Sequence, residues 1–178
     1  GEMGWEIFIT PDFAEYVFEQ LYQAGQAYDL RLAGGEALNA LRIEKGFVHW
    51  GADMAYTESP HQIGLDFACH LDKDIAFTGK AAYLARKAQA KGPFLCSIKL
   101  QQPDAMLHHN EPVLRDGTIV GFVTSGAFSA AQGSAVGLCL IAPPTEKSGV
   151  EALETGDYSV LVEGRTIPAI LQRKAFAR

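Results

Sequence analysis

The chain has few cysteines, no long apolar run and no excess of positive charge, and each shortage excludes a class of protein. Cys69, Cys96 and Cys139 are odd in number, widely spaced and free of any Cys-x-x-Cys pattern. Neither a disulfide framework nor a zinc knuckle is indicated, and a reducing compartment fits best. No apolar stretch approaches the roughly 18 residues of a membrane span, and no basic segment followed by an apolar one opens the chain. Lys and Arg number 15 against 21 Asp and Glu, a formal charge of -6, which argues against a phosphate-neutralising surface and so against nucleic acid as a partner. A Gly-x-Ser-x-Gly elbow and a Gly-Lys-Ser/Thr phosphate loop are both missing. His108 and His109 are adjacent and would point to opposite faces of a strand, while His49, His61 and His70 lack partners at ligand spacing. No metal site is expected.

What is present is ordinary globular material. Of 178 residues, 48% are hydrophobic and 20% charged, enough for one large domain or two small ones that bury roughly two thirds of the unfolded surface. The opening "GEMGWEIF" alternates like a strand, with Met3, Trp5, Ile7 and Ile9 on one face and Glu2, Gly4, Glu6 and Phe8 on the other. Glu2 and Glu6 would start roughly 13 Å apart, too far for a glycosidase-like pair. Glu6 alone sits between an empty slot at Gly4 and an apolar wall at Phe8. An ionised carboxylate there can grip a ligand edge that presents two donors, or it can be an exposed strand acid or half of a salt bridge.

Three helices are expected in the first half. "TPDFAEYVFEQLYQAG" opens on Thr10, Pro11 and Asp12 with Glu15 placed for a capping box, stops at Gly25, and carries a stripe of Phe13, Val17, Leu21 and Ala24. "GGEALNALRIEKG" repeats Ala37, Leu38, Leu41 and Lys45 at helical spacing and ends at Gly46, and "FTGKAAYLARKAQAKG" starts at Thr78 and ends at Gly92-Pro93. From Pro93 onward short β-branched runs alternate with Gly, Asp-Gly and Pro-Pro punctuation. Asp116-Gly117 is a type I′ hairpin signal, and Glu163-Gly164 occupies a similar place. The fold class is therefore α+β, with a small antiparallel barrel or sandwich following a boundary near residues 91 to 93.

Two further stretches draw attention. "LRIEKGFVHWGAD" crowds Arg42, Glu44, Lys45, His49, Trp50 and Asp53 into a helix end and the next turn. Its plain reading is a solvated helix face followed by a Trp that covers the core; the alternative is a flat ring stacked on Trp50, with Gly51 letting it approach the backbone. "TSGAFSAAQGSAVG" reads as a strand, a turn and a returning strand with small residues at a barrel corner.

The order of motifs says more than any one of them. "GEMGWE", "ALNALRIEKGFVHWGADM", "SP" with "GLDF", "DIAFTGKAAYLARK" and "EPVLRDGTIVGFVTSGAFSAAQGSAVGLCLI" together resemble the aminomethyltransferase family, the T-protein of glycine cleavage and its relatives. The resemblance covers essentially the whole chain. The wording is most similar to the folate-binding C-terminal half of flavin-dependent dimethylglycine and sarcosine dehydrogenases and oxidases. It implies residues 1–91 as the C-terminal part of a folate-binding domain and 92–178 as the family's β-barrel.

The resemblance also implies a tetrahydrofolate site in which Glu6 holds the pterin's N-H and amino group, with Trp50 and Arg42 shaping the pocket. An arginine that T-proteins carry in the second helix is Leu38 here, as in the flavoprotein relatives, and the family's catalytic aspartate lies upstream of this chain. The chain thus reads as a fragment of something longer, with no catalytic residue of its own. The implied activity is capture of a one-carbon unit on tetrahydrofolate from a small methylated amine or aminomethyl donor. FAD enters only if an upstream oxidoreductase domain exists. A sulfonium-compound demethylase of the same fold and a non-catalytic folate-binding or interaction module are the rivals. The expected location is cytoplasmic, or the mitochondrial matrix in a eukaryote.

Overall fold

A computed structural model describes residues 3–89, 92–145 and 150–177. The chain divides into two compact units, Gly1–Gly34 and Gly35–Arg178.

In the first unit the expected opening strand does not form. Residues 3–10 have no regular structure, because an alternating pattern becomes a strand only when a neighbour takes up its backbone hydrogen bonds, and none of the described residues pairs with it. Glu2 lies outside the described residues. Helix α1 (Ala14–Gly25) follows a short 3-10 turn at Pro11–Phe13. Thr10 is extended at that turn's N-cap but makes no side-chain capping bond, so the expected capping box is not closed. The helix runs on into Gln26–Tyr28 and stops at Asp29, which adopts the left-handed conformation. No residue of α1 is buried; its stripe exists, but Phe13 and Leu21 stay exposed.

In the second unit α2 (Gly35–Glu44) ends as "EKG" predicts. Gly46 has φ +72, its N–H bonds Ile43 O at 3.0 Å, and Phe47 N–H bonds Arg42 O at 2.8 Å, the paired closure of a Schellman motif. The helical spacing of Leu38 and Leu41 does not say which face is buried. Ile43 is the helix's buried residue, whereas Leu38 and Leu41 are exposed, because the barrel meets α2 on the Ile43 side and not along the Leu38–Leu41 line. Helix α3 (Lys80–Gln89) follows the loop segment.

Six strands, β1 (Phe94–Leu100), β2 (Pro112–Arg115), β3 (Thr118–Ser129), β4 (Ser134–Ile141), β5 (Tyr158–Val162) and β6 (Arg165–Gln172), close into an antiparallel barrel in the order β1-β4-β3-β2-β5-β6. Both expected hairpins form, with positive φ at Asp116 and Gly117 and at Glu163 and Gly164, the twist-matched two-residue connection. Inward residues such as Ile98, Leu107, Val113, Val123 and Val160 fill the interior. A second cluster outside the wall joins Ile43 and Ile63 to Leu95, Val136 and Leu138. The glycines of "TSGAFSAAQGSAVG" allow close packing as expected: a Cβ on Gly126 would come within 2.4 Å of the Leu107 backbone. No helix among the described residues is long and apolar enough to cross a membrane.

Candidate functional site

The chemistry of the second unit centres on the loop after α2. Asp53 is fully buried, and a carboxylate in that position must be paired and hydrogen-bonded to remain ionised. Its Oδ2 takes a salt bridge from Arg42 Nη1 and a hydrogen bond from the His49 backbone N–H at 2.9 Å, while Oδ1 accepts from Thr124 Oγ1 at 2.5 Å. Arg42 is equally committed. Nε and Nη2 donate to Asn39 Oδ1 at 3.0 and 2.7 Å, Nη2 also to Ser125 Oγ at 2.7 Å, and Nη1 to Phe47 O at 3.2 Å. The planar fork suits this many fixed acceptors.

A strand irregularity supplies the partners. Pairing of β3 with β4 shifts between Val123 and Ser125, so the bulged Thr124 and its neighbour Ser125 both reach the same ion pair, which a regular strand's alternation would forbid. A second tie joins α2 to β3, where Ser129 Oγ donates to Glu44 Oε1 at 2.5 Å. The result is a rigid turn over residues 49–53. Asp53 N–H bonds His49 O at 2.9 Å and Gly51 N–H bonds Met54 O at 2.8 Å.

Trp50 projects from this turn at 62% exposure, so it does not cover the core. Beside it Gly51 has φ +87, and a Cβ there would meet nothing within 4 Å, leaving the backbone open to a flat ring. Two cavities flank the loop. One of about 540 Å³ is bounded by Glu36, Leu38, Asn39, Arg42, Phe47 and His49; another of about 640 Å³ lies between Gly51, Ala52 and the β3–β4 wall at Phe122 and Leu140. Both fall in the size range of small-molecule sites.

Arg42 and Trp50 are thus brought into one assembly, the first as the fastener and the second as the exposed face. Glu6 belongs to the other compact unit, where it is exposed and makes no hydrogen bond among the described residues. Sequence reasoning passed over Asn39, Thr124 and Ser125. Nothing in a run of Thr and Ser announces a bulge, whereas Asp53 in "WGAD" carried a signal, a lone acid ending an apolar turn.

Comparison with known proteins identifies the family. Residues 1–73 match the GCVT N-terminal domain family, and residues 94–177 match the family described as the glycine cleavage T-protein C-terminal barrel domain. The chain is 37% identical over 176 residues to 4-methylaminobutanoate oxidase (formaldehyde-forming) of Paenarthrobacter nicotinovorans, spanning 99% of this chain and 20% of that protein. It is 32% identical over its full length to an aminomethyltransferase of Rubrobacter xylanophilus, of which it spans 44%. The crystal structure of glycine cleavage system aminomethyltransferase T from Bartonella henselae superimposes with a TM-score of 0.76 at 19% identity, over 93% of this chain and 44% of that one, a likeness of fold. The chain spans less than half the length of these relatives. With both domain types present in order, the chain belongs to the aminomethyltransferase family of glycine cleavage T-proteins and related oxidases and dehydrogenases.

Proposed function

We infer that this chain is a tetrahydrofolate-binding part of a one-carbon transfer protein. The observation that carries the reading is the unpaired Glu6 carboxylate within the matched N-terminal domain. Its oxygens have no protein partner among the described residues, so the carboxylate is left to accept hydrogen bonds from a ligand's donor edge. When bound, tetrahydrofolate supplies the nitrogen that accepts the one-carbon unit.

The chain's own residues bind and orient. In the first unit Glu6 accepts hydrogen bonds from the pterin edge; within the second unit, taken by itself, Arg42 holds the 49–53 turn through Asp53 and so positions the exposed ring of Trp50. Positioning and exclusion of water are the forms of acceleration this reading assigns to the module. The donor is a small methylated amine or an aminomethyl compound. Where the chain is joined to an oxidoreductase domain, FAD is that domain's cofactor.

Calorimetry with 5-formyltetrahydrofolate tests the assignment. Glu6→Gln keeps the shape and removes the charge, and the expected loss is about 1.5 to 3 kcal/mol, the worth of a hydrogen bond to a charged group. Unchanged affinity would reject Glu6 as the pterin acid. A folded chain that binds no folate at all would favour the non-catalytic interaction module.

A further inference from the structure

A third cavity, of about 600 Å³, lies away from the 49–53 turn, between the 60–79 segment and the start of α3. Its walls are apolar, formed in part by Ile75, Phe77 and Tyr83. Ile75 and Phe77 remain substantially exposed there, and exposed apolar surface gathered around a concavity marks a binding site more often than scattered apolar residues do.

The polar side chains of the lining are a lysine, a histidine, a threonine, a cysteine and a tyrosine. Lys73, His70 and Thr78 line it, and no carboxylate does. Lys80, outside the lining, ties two of its residues together, its Nζ donating to Lys73 O at 2.8 Å and lying 5.9 Å from the centre of the Phe77 ring. The nearby acid, Asp66, is already engaged by Lys87 Nζ at 2.7 Å and by the Tyr83 hydroxyl. Asp72 and Asp74 flank Lys73 in the chain but do not line the cavity. The cavity's own lining thus offers a cation and an apolar wall without a competing carboxylate.

We propose that this cavity is a second ligand site, distinct from the folate reading, which takes a small organic carboxylate with an apolar body. The hydrocarbon or aromatic part would lie against Phe77, Ile75 and Tyr83, and the carboxylate would face Lys73, with the Thr78 hydroxyl as a donor.

Phenylacetate and its neutral isostere phenylacetamide probe the site in the full chain, followed by two-dimensional amide NMR. Saturable shifts confined to residues 60–83 are expected for phenylacetate, with phenylacetamide at least tenfold weaker. Lys73→Gln should weaken phenylacetate at least fivefold and leave phenylacetamide unchanged. Ala68→Trp, which fills the cavity from an exposed position, should abolish both while the thermal unfolding curve stays cooperative. Equal affinity for the acid and the amide, shifts spread over the surface, or binding that survives Ala68→Trp would each overturn the proposal.

Discussion

The two compact units are built from similar residues and end in opposite states. Gly1–Gly34 holds Met3, Trp5, Ile7, Phe8, Phe13, Phe18 and Leu21, and all of them are exposed, Trp5 at 89%. Gly35–Arg178 keeps several apolar residues exposed too, Leu38, Tyr56 and Ile75 among them, but it also builds a closed core in which Ile98, Leu100, Leu107, Val113, Val123 and Val160 are 0% exposed. The difference is closure. A barrel gives each strand two neighbours and removes its edges, so alternation along the chain becomes an inside and an outside. The first unit has a helix and an extended segment but no second layer, and an amphipathic face needs one to bury anything. Apolar content alone therefore does not make a core.

Several measurements would break or sharpen that contrast. The largest effect is expected at the Arg42–Asp53 pair, which fastens α2 to the barrel. Arg42→Ala removes the salt-bridge partner of the buried Asp53, and urea unfolding should show a loss of about 3 to 5 kcal/mol. A loss under 1 kcal/mol would mean that the pair sits at no structural hinge.

Next comes the core itself. Leu107→Ala should cost about 2 to 5 kcal/mol, whereas Phe8→Ala, in the first unit, should change stability by less than about 0.5 kcal/mol; similar values for the two would erase the distinction between the units.

A smaller effect concerns His61. Its ring nitrogens are buried without a hydrogen-bond partner among the described residues, between the rings of Tyr83 at 6.0 Å and Phe94 at 6.3 Å. Burial holds its pKa below the ordinary 6.5; Asp66 opposes this, and Lys87 and Arg86 add to it. The folded state thus prefers the neutral ring, so this contribution to stability is complete above about pH 6.5 and is lost as pH falls through the lowered value. Urea unfolding between pH 7.5 and 5 should show a decline that His61→Phe flattens; an unaltered slope in the variant would assign the decline to other groups.

The smallest effect is expected from deleting residues 1–34. The remaining chain should still unfold in one cooperative transition, because α2 and the 60–65 segment pack on the barrel through Ile43 and Ile63. A broad, uncooperative transition would show that the second unit is not self-sufficient.

Much of the fold was legible beforehand. The β-branched runs after Pro93 marked the strand-rich part of the chain, and Asp-Gly and Glu-Gly marked both hairpins. The end of α2 at Gly46 was equally readable, since only a residue tolerant of positive φ closes that motif comfortably. The opening strand was misread because alternation records a tendency to pair and not the presence of a partner. At α2 the spacing of Leu38 and Leu41 marked a helix without saying which side the barrel would take, and it took the side at Ile43.

Sequence by itself determined the local states and the order of elements: where helices stop, where the chain reverses, which runs are extended, and which family's motifs follow one another. Those depend on backbone torsions and on residues close in the chain. The tertiary structure alone decided that Arg42 is consumed internally, that Asp53 is its buried counter-ion, and that a bulge turns both Thr124 and Ser125 toward them. These contacts join residues 71 and 83 positions apart. The energy of a buried charge depends on what surrounds it in space, and no local pattern records that.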